Sequence, residues 1–182
     1  MLHRLFVKSS KPSTTYMITT LFTEVGQIMS LTQVPILTHR IDLKPENLLY
    51  LTSDPKSDLV LADFGIAKML DSKDEVLTTM AGSFGYAAPE VMLKKGHGKP
   101  VDMWSLGVIT YTLLCGYSPF RSENLQDLID ECSNARVIFH ERYWKDVSDD
   151  AKDFIGHLLQ PDANDRSTSK VWLELILNLN IY

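Results

Sequence analysis

Two short apolar runs flank a polar break in the middle of the chain. Residues 48–51 and 59–62 are almost entirely apolar, whereas residues 52–57 read Thr-Ser-Asp-Pro-Lys-Ser. Asp, Pro and Ser favour turns because they fix or hydrogen-bond the local backbone. The pattern therefore predicts two short strands, joined as a small hairpin.

A longer apolar segment follows. Val101–Leu114 is apolar on every helical face, which is typical of a helix buried on all sides, and Asp102 suits its amino-terminal turn. Glu123–Cys132 predicts an amphipathic helix. Ser148 predicts the N-cap of another helix, which ends near Leu158 and Leu159. These segments indicate a mainly helical unit with one small hairpin.

The sequence patterns at both ends of the chain predict secondary structure less clearly. Tyr16–Phe22 favours a strand and Thr23–Leu37 a short helix, with disorder as the alternative for this part. An apolar tail, predicted to be helical, occupies residues 171–182. We therefore divide the chain into an unmatched segment 1–38, a structured unit 39–170 and a divergent tail 171–182.

Composition narrows the class of protein. The chain has 182 residues, 45% of them hydrophobic, which is enough to bury one core. A net charge of -5 argues against nucleic acid as the main partner. The two cysteines match no disulfide framework or metal site, and no segment predicts a signal peptide or membrane span. A cytoplasmic or nuclear protein without membrane contact is expected.

Three short motifs carry the candidate chemistry. They are His39–Asn47 (His-Arg-Ile-Asp-Leu-Lys-Pro-Glu-Asn), Asp63–Gly65 (Asp-Phe-Gly) and Ala88–Glu90 (Ala-Pro-Glu). Alone, Asp42 and Asn47 also fit an Asx turn at the start of a strand. Together, in this order, the three motifs are a strong signal.

These motifs resemble those of protein kinases. Further stretches, Gly82–Glu90, Asp102–Ile109 and Leu114–Phe120, resemble calcium/calmodulin-dependent Ser/Thr kinases, fungal ones included. The resemblance covers about residues 36–170 and implies a protein kinase-like α+β fold, here the mainly helical large (C-terminal) lobe with a small β-hairpin. A helical bundle without a nucleotide site is a weaker alternative.

The resemblance implies ATP and Mg²⁺ as cofactors and a protein Ser/Thr hydroxyl as the phosphate acceptor. Asp42 is expected to accept the hydroxyl proton, and Lys44 to lie against the transferred phosphate. Asn47 and Asp63 are expected to hold Mg²⁺. The full set assigned to the nucleotide and metal is Lys44, Glu46, Asn47, Leu49 and Asp63.

Other matched residues have implied roles in structure or regulation. Leu49 resembles part of the apolar stack under the adenine ring, together with Ile109 and Leu113. Glu46 either pairs with a basic substrate residue or is a solvated carboxylate. Thr79 lies where the family carries its activating phosphorylation, by an upstream kinase, with Thr78 as an alternative.

The remaining matched residues are structural. His39 is expected to pack on Phe64 of Asp63–Gly65, and Arg40 to bind a phosphate on Thr79. Gly65 completes the Asp-Phe-Gly motif.

Two further expectations concern residues outside the loop. Glu90 is expected to form a buried ion pair with Arg166, the alternative being two unrelated surface charges. Asp102 is expected to accept hydrogen bonds from the backbone of the catalytic loop, to cap its helix, or both.

Four departures from the family pattern bear on activity. Ile41 separates Arg40 from Asp42; no Gly-x-Gly-x-x-Gly loop is present; no lysine-bearing strand precedes His39; and the chain stops at Tyr182, before a calmodulin-binding helix. These features predict a fragment that lacks the small lobe and is weak in catalysis. They also make calmodulin a doubtful partner of this chain. A misread exon boundary or a truncated transcript would explain them. The alternative function is a non-catalytic lobe that docks substrates or a partner kinase.

Overall fold

The computed structural model of this chain describes residues 43–44, 47–53, 57, 59–61, 84–95, 98, 100–134, 137–168 and 170–171. The predicted strand at Tyr16–Phe22, the predicted helix at Thr23–Leu37 and the apolar tail beyond Val171 lie outside the described residues. The fold is therefore described for the central unit, where the sequence signals are strongest.

The predicted hairpin is confirmed. Strand β1 (Leu48–Tyr50) pairs antiparallel with β2 (Leu59–Leu61), and Leu48 lies opposite Leu61. Strand β1 is one residue shorter than expected, because Leu51 turns away from the ladder and is exposed. A hydrogen bond of 2.7 Å from the Thr52 backbone N–H to Ser57 Oγ spans the connection.

Helices form the rest of the described chain. A 3₁₀ turn at Phe84–Tyr86 precedes five α-helices in the described residues. The α-helices are α1 (Pro89–Met92), α2 (Pro100–Cys115), α3 (Leu125–Asn134), α4 (Glu141–Trp144) and α5 (Asp149–Leu158). The expectation of a mainly helical unit with one small hairpin is thus confirmed.

Helix α2 lies at the centre of the core. Eleven of its 16 residues are buried, on all sides of the helix, as its apolar pattern predicts. The helix stops at Gly116, whose φ of +83° places it in the left-handed region that favours glycine, and whose N–H bonds the Thr112 carbonyl at 2.8 Å. Because few positions of α2 face water, the neighbouring elements must cover it.

Aromatic side chains cover much of α2. The Phe120 ring, in the loop after the helix, stacks on the Trp104 indole with centroids 5.2 Å apart. The Tyr111 ring lies 4.7 Å from the Trp144 indole of α4. Offset and tilted ring contacts add about 0.5–1.5 kcal/mol beyond the area that they bury. Ring contacts therefore hold both the loop 116–121 and helix α4 on α2.

Helix α5 begins where the sequence predicts. The Ser148 hydroxyl accepts a hydrogen bond of 3.3 Å from the Ala151 N–H, and Asp149 and Asp150 occupy the first turn. The helix packs on α2, and its residues Phe154, Ile155 and Leu158 are buried. Its residues Leu158 and Leu159 close the end of the helix, as expected.

The predicted start of α3 was wrong by two residues. The helix begins at Leu125, and not at Glu123, because Asn124 is its cap: Asn124 Oδ1 accepts from Gln126 N at 2.8 Å and from Asp127 N at 3.3 Å. The helix is amphipathic, as predicted, and buries Leu128 and Cys132.

Gly107 makes the close approach of α2 and α5 possible. A Cβ at this position would lie 2.8 Å from Leu159 Cδ2 and 2.9 Å from Leu158 Cβ. Gly107→Ala should therefore lower the free energy of unfolding by about 1–2 kcal/mol, although alanine is the better helix former. Denaturant titration followed by circular dichroism measures this change.

Gly156→Ala is the matched control, since a Cβ there meets nothing within 4 Å. Gly156 lies inside α5, so its replacement should raise the free energy of unfolding by about 0.5–1 kcal/mol. Equal effects of the two substitutions would contradict the assigned packing of α2 on α5.

Candidate active site

The described part of the candidate site is the turn that leads into β1. The Asn47 N–H donates to the Lys44 carbonyl at 3.0 Å, which closes a tight turn between these two predicted site residues. Leu43 is 2% exposed and belongs to the main core cluster, whereas Lys44 and Asn47 are half-buried. The buried leucine anchors the turn, and the polar residues that follow it remain within reach of solvent.

The hairpin register defines what lies next to this turn. Leu48 directly follows Asn47, and it pairs with Leu61, the last residue of β2. In an antiparallel pair, residues directly opposite have Cα atoms about 4.5–5.5 Å apart. The chain that enters β1 and the chain that leaves β2 are thus neighbours at one end of the hairpin.

Several predicted site residues lie outside the described part of the chain, and their roles stay predictions. They are His39, Arg40, Asp42, Glu46, Asp63, Phe64, Gly65 and Thr79. Among the described residues, no cluster of three or more His, Cys, Asp or Glu side chains forms a metal site.

The predicted apolar stack is partly described. Leu49 is half-buried, while Ile109 is 1% and Leu113 6% exposed within α2. Ile109 and Leu113 are therefore core residues of the helix. Leu49 alone of the three keeps appreciable exposure to solvent, which suits a side chain at the edge of a site.

Glu90 and Arg166 form a bidentate ion pair. Arg166 Nη1 donates to Glu90 Oε1 at 2.8 Å and Nη2 donates to Oε2 at 3.1 Å. The Arg166 side chain is fully buried and that of Glu90 is 14% exposed. The geometry is the one the sequence prediction requires, and it excludes the alternative of two unrelated surface charges.

The remaining donors of Arg166 are also satisfied. Nε donates to the Gln160 carbonyl at 3.0 Å, and Nη1 also donates to the Pro100 carbonyl at 2.8 Å. The guanidinium carbon lies 5.2 Å from the centroid of the Trp104 ring. The sequence did not predict these carbonyl and ring partners. A backbone carbonyl is present at every residue, and only the fold determines which carbonyls and rings approach a guanidinium. One guanidinium thereby joins α1, the start of α2 and the segment after α5.

Asp102 lies in the first turn of α2 and is 6% exposed. Its burial at a helix amino terminus fits both predicted roles, since the macrodipole there favours a carboxylate. The hydrogen bond to the catalytic-loop backbone remains a prediction, because residues 39–42 are outside the described chain.

Neither cysteine is suited to act as a nucleophile. Both are free thiols, and burial raises the pKa of Cys115 above its ordinary value. Burial, with a smaller contribution from Glu131, raises the pKa of Cys132 to about 12. Because the thiolate is the reactive form, both side chains are structural.

The chain belongs to the protein kinase family. The family's sequence model, described as the protein kinase domain, matches residues 4–176. This match includes most of segment 1–38, in which no kinase motif was recognised. The division of the chain at residues 38 and 170 remains a prediction.

The curated relatives described next are calcium/calmodulin-dependent protein kinases of fungi. The chain is 67% identical over 166 residues to a calcium/calmodulin-dependent protein kinase of Metarhizium anisopliae, with 84% of this chain and 43% of the relative covered. It is 78% identical over 134 residues to the calcium/calmodulin-dependent protein kinase cmkA of Emericella nidulans, with 74% and 32% covered. The expected similarity to fungal members of this group is confirmed.

A crustacean relative shows the same likeness at a greater distance. The chain is 48% identical over 132 residues to the calcium/calmodulin-dependent protein kinase type 1 of Macrobrachium nipponense, with 72% of this chain and 37% of the relative covered. The chain thus spans between 32% and 43% of the length of these three relatives. In the described part of the chain, no helix is long and apolar enough to cross a membrane.

Replacing Arg166 tests the buried ion pair. Arg166→Ala leaves the Glu90 carboxylate without its partner, and breaking a buried pair costs about 3–5 kcal/mol. The melting temperature should fall clearly. Arg166→Lys should restore only part of the stability, because an ammonium cannot form the bidentate fork.

Lys152→Ala is the matched control, since Lys152, whose side chain is 26% exposed, pairs at 2.9 Å with an Asp149 side chain that is 98% exposed. Exposed pairs contribute about 0–1 kcal/mol, so this change should leave the melting temperature nearly unaltered. Equal melting curves for Arg166→Ala and Lys152→Ala would contradict the importance of the buried pair.

Proposed function

We propose that this chain supplies the large lobe of a Ser/Thr protein kinase, which transfers the γ-phosphoryl group of Mg·ATP to a protein hydroxyl. The hairpin register carries the proposal. It sets the Lys44–Asn47 turn beside the end of β2, and Asp63 follows that end by two residues. The residues proposed to meet the nucleotide are thus distant in sequence but attached to one end of one hairpin.

The donor set suits Mg²⁺. Asn47 offers an amide oxygen and Asp63 a carboxylate, and magnesium prefers oxygen ligands together with substrate phosphates. Bound Mg²⁺ would neutralise charge on the β- and γ-phosphates. The anchoring of Asn47 by the turn to Lys44 supports its role, because a ligand fixed in advance loses little entropy on binding.

Two residues of the same loop are proposed to act on the reacting groups. Asp42 accepts the proton of the substrate hydroxyl, and Lys44 places a positive charge against the transferred phosphate. General base catalysis of this type contributes about 10²–10⁴-fold in rate. Ile41 precedes Asp42 where the family motif has no residue, so we propose that it displaces His39 and Arg40 from their usual contacts.

The remaining assignments concern partners and control. Glu46 is proposed to meet a basic residue of the protein substrate, and Thr79 to be phosphorylated by an upstream kinase. A cytoplasmic or nuclear location is proposed as well, and it is supported by the two unpaired thiols, Cys115 and Cys132.

Nucleotide binding tests the proposed metal ligands. A fluorescent ATP analogue should bind the chain more tightly with Mg²⁺ than without it. Asp63→Asn or Asn47→Ala should weaken the Mg²⁺-dependent part about tenfold or more, because each removes or weakens an oxygen ligand of the ion. Asp42→Asn, which alters the proton acceptor only, serves as the control and should bind as the unchanged chain does. Unaltered Mg²⁺-dependent binding by Asp63→Asn would exclude the proposed site.

Phosphate transfer tests Asp42 and Ile41. In a chimera, this chain replaces the matching residues of the Emericella nidulans relative, and transfer from labelled ATP to a basic Ser/Thr peptide is measured. Asp42→Asn should lower the rate about 10²–10⁴-fold. Deletion of Ile41 should raise it, because the loop then regains the family spacing. If neither change alters the rate, or if no transfer occurs after the deletion, the non-catalytic docking function is favoured.

A further inference from the structure

A cavity opens on the surface at the carboxyl end of α2, and none of the residues that line it was assigned to catalysis. Its volume is about 500 Å³, and its walls include Tyr117, Arg121, His140, Arg142 and Tyr143. Tyr117 and Arg121 come from the loop after α2, and the other three from the start of α4. We name it the basic-aromatic cavity.

Each arginine of the basic-aromatic cavity lies against a tyrosine ring. The Arg121 guanidinium carbon lies 4.9 Å from the centroid of the Tyr117 ring, and that of Arg142 lies 5.5 Å from the Tyr143 ring. The two rings meet edge-on, 5.2 Å apart. Cation–π contacts of this length restrict where each guanidinium lies.

Tyr117, in the wall of the cavity, is held by a hydrogen bond to the buried Tyr111. Tyr111 is 1% exposed, and its hydroxyl lies 2.7 Å from the Ile138 carbonyl and 3.1 Å from the Tyr117 hydroxyl. The carbonyl can only accept, and Tyr111 has a single hydroxyl proton. The Tyr117 hydroxyl therefore donates to Tyr111, which fixes the Tyr117 ring in the wall. The cavity is built in advance of any ligand.

The charges in this wall are not neutralised by the described protein. Within the described residues, neither the Arg121 nor the Arg142 side chain forms a hydrogen bond or ion pair. The carboxylate of Glu131 approaches Arg121 from α3, but it accepts the backbone N–H groups of Arg121 and Ser122 at 3.0 and 3.2 Å. The adjacent Glu141 is exposed and does not line the cavity. Two cations and an imidazole thus face one cavity on a chain whose net charge is -5.

We propose that the basic-aromatic cavity binds a phosphorylated side chain in a peptide segment of a partner protein. A phosphate monoester carries a charge of about -1.5 to -2 at neutral pH, which matches two guanidiniums better than the single charge of a carboxylate does. Arginine presents planar donors suited to phosphate oxygens. The tyrosine rings offer an apolar wall to the rest of the side chain. The site does not depend on the proposed catalysis.

Fluorescence anisotropy with labelled peptides tests this site on the full chain. Short phosphoserine and phosphotyrosine peptides are compared with the same peptides unphosphorylated and with glutamate at the same position. At least one phosphopeptide should bind saturably and more tightly than its unphosphorylated and glutamate forms. The better of the two identifies the phosphorylated side chain. Arg121→Gln and Arg142→Gln should each weaken that binding about tenfold or more.

Lys95→Gln is the control for the loss of one positive charge, since Lys95 is exposed and does not line the cavity. It should leave the affinity unchanged. Both arginines are exposed, so the variants should keep the melting temperature of the unchanged chain. Absence of saturable binding, equal binding of the glutamate peptide, or full binding by the Arg121→Gln/Arg142→Gln double variant would each overturn the proposal.

Discussion

The burial of α2 on every face is the constraint on which the described structure depends. A helix without a solvent face is stable only where other elements cover it on all sides, and apolar burial contributes about 25 cal/mol per Å². The 3₁₀ turn, α4, α5 and the loop after α2 all pack against it. Gly107 allows α5 to approach closely enough to seal one side, and Ser105 Oγ, which donates to the Tyr86 carbonyl at 2.9 Å, fixes the 3₁₀ turn on another.

Arg166 performs a different task from these apolar contacts. Apolar packing is weakly directional, so it does not by itself define how α1 and the segment after α5 meet the start of α2. The fork of Arg166, with Glu90 and the Pro100 and Gln160 carbonyls as acceptors, requires all these pieces at defined positions. A buried pair of this kind contributes little net stability compared with an apolar replacement, because both charges must be desolvated. We infer that the ion pair serves here to define a single arrangement of the three chain segments.

Local patterns and family motifs predicted several features closely, whereas partners that only the fold brings together left no signal. The continuous apolar pattern of α2 and the cap at Ser148 are properties of neighbouring residues, so both were predicted closely. The start of α3 was missed, because Glu123 and Asn124 both suit a helix start and only the hydrogen bonds of Asn124 distinguish them. The family motifs allowed Glu90 and Arg166 to be paired across 76 residues. Nothing comparable indicated that Arg121 and Arg142 would face one cavity, since their approach depends on how the loop and α4 pack on α2.

The basic-aromatic cavity and the buried ion pair are connected through the side chain of Trp104. Phe120, which is 2% exposed, precedes Arg121 and stacks on Trp104, and the Arg166 guanidinium also contacts the Trp104 ring. Contact of this kind does not by itself transmit a signal, because coupling needs an element with two arrangements that both sites bias. The two rings lie 8° from parallel, and both are buried. The stack therefore fixes the loop that carries Tyr117 and Arg121 on α2. A ligand then meets a cavity wall that is already formed.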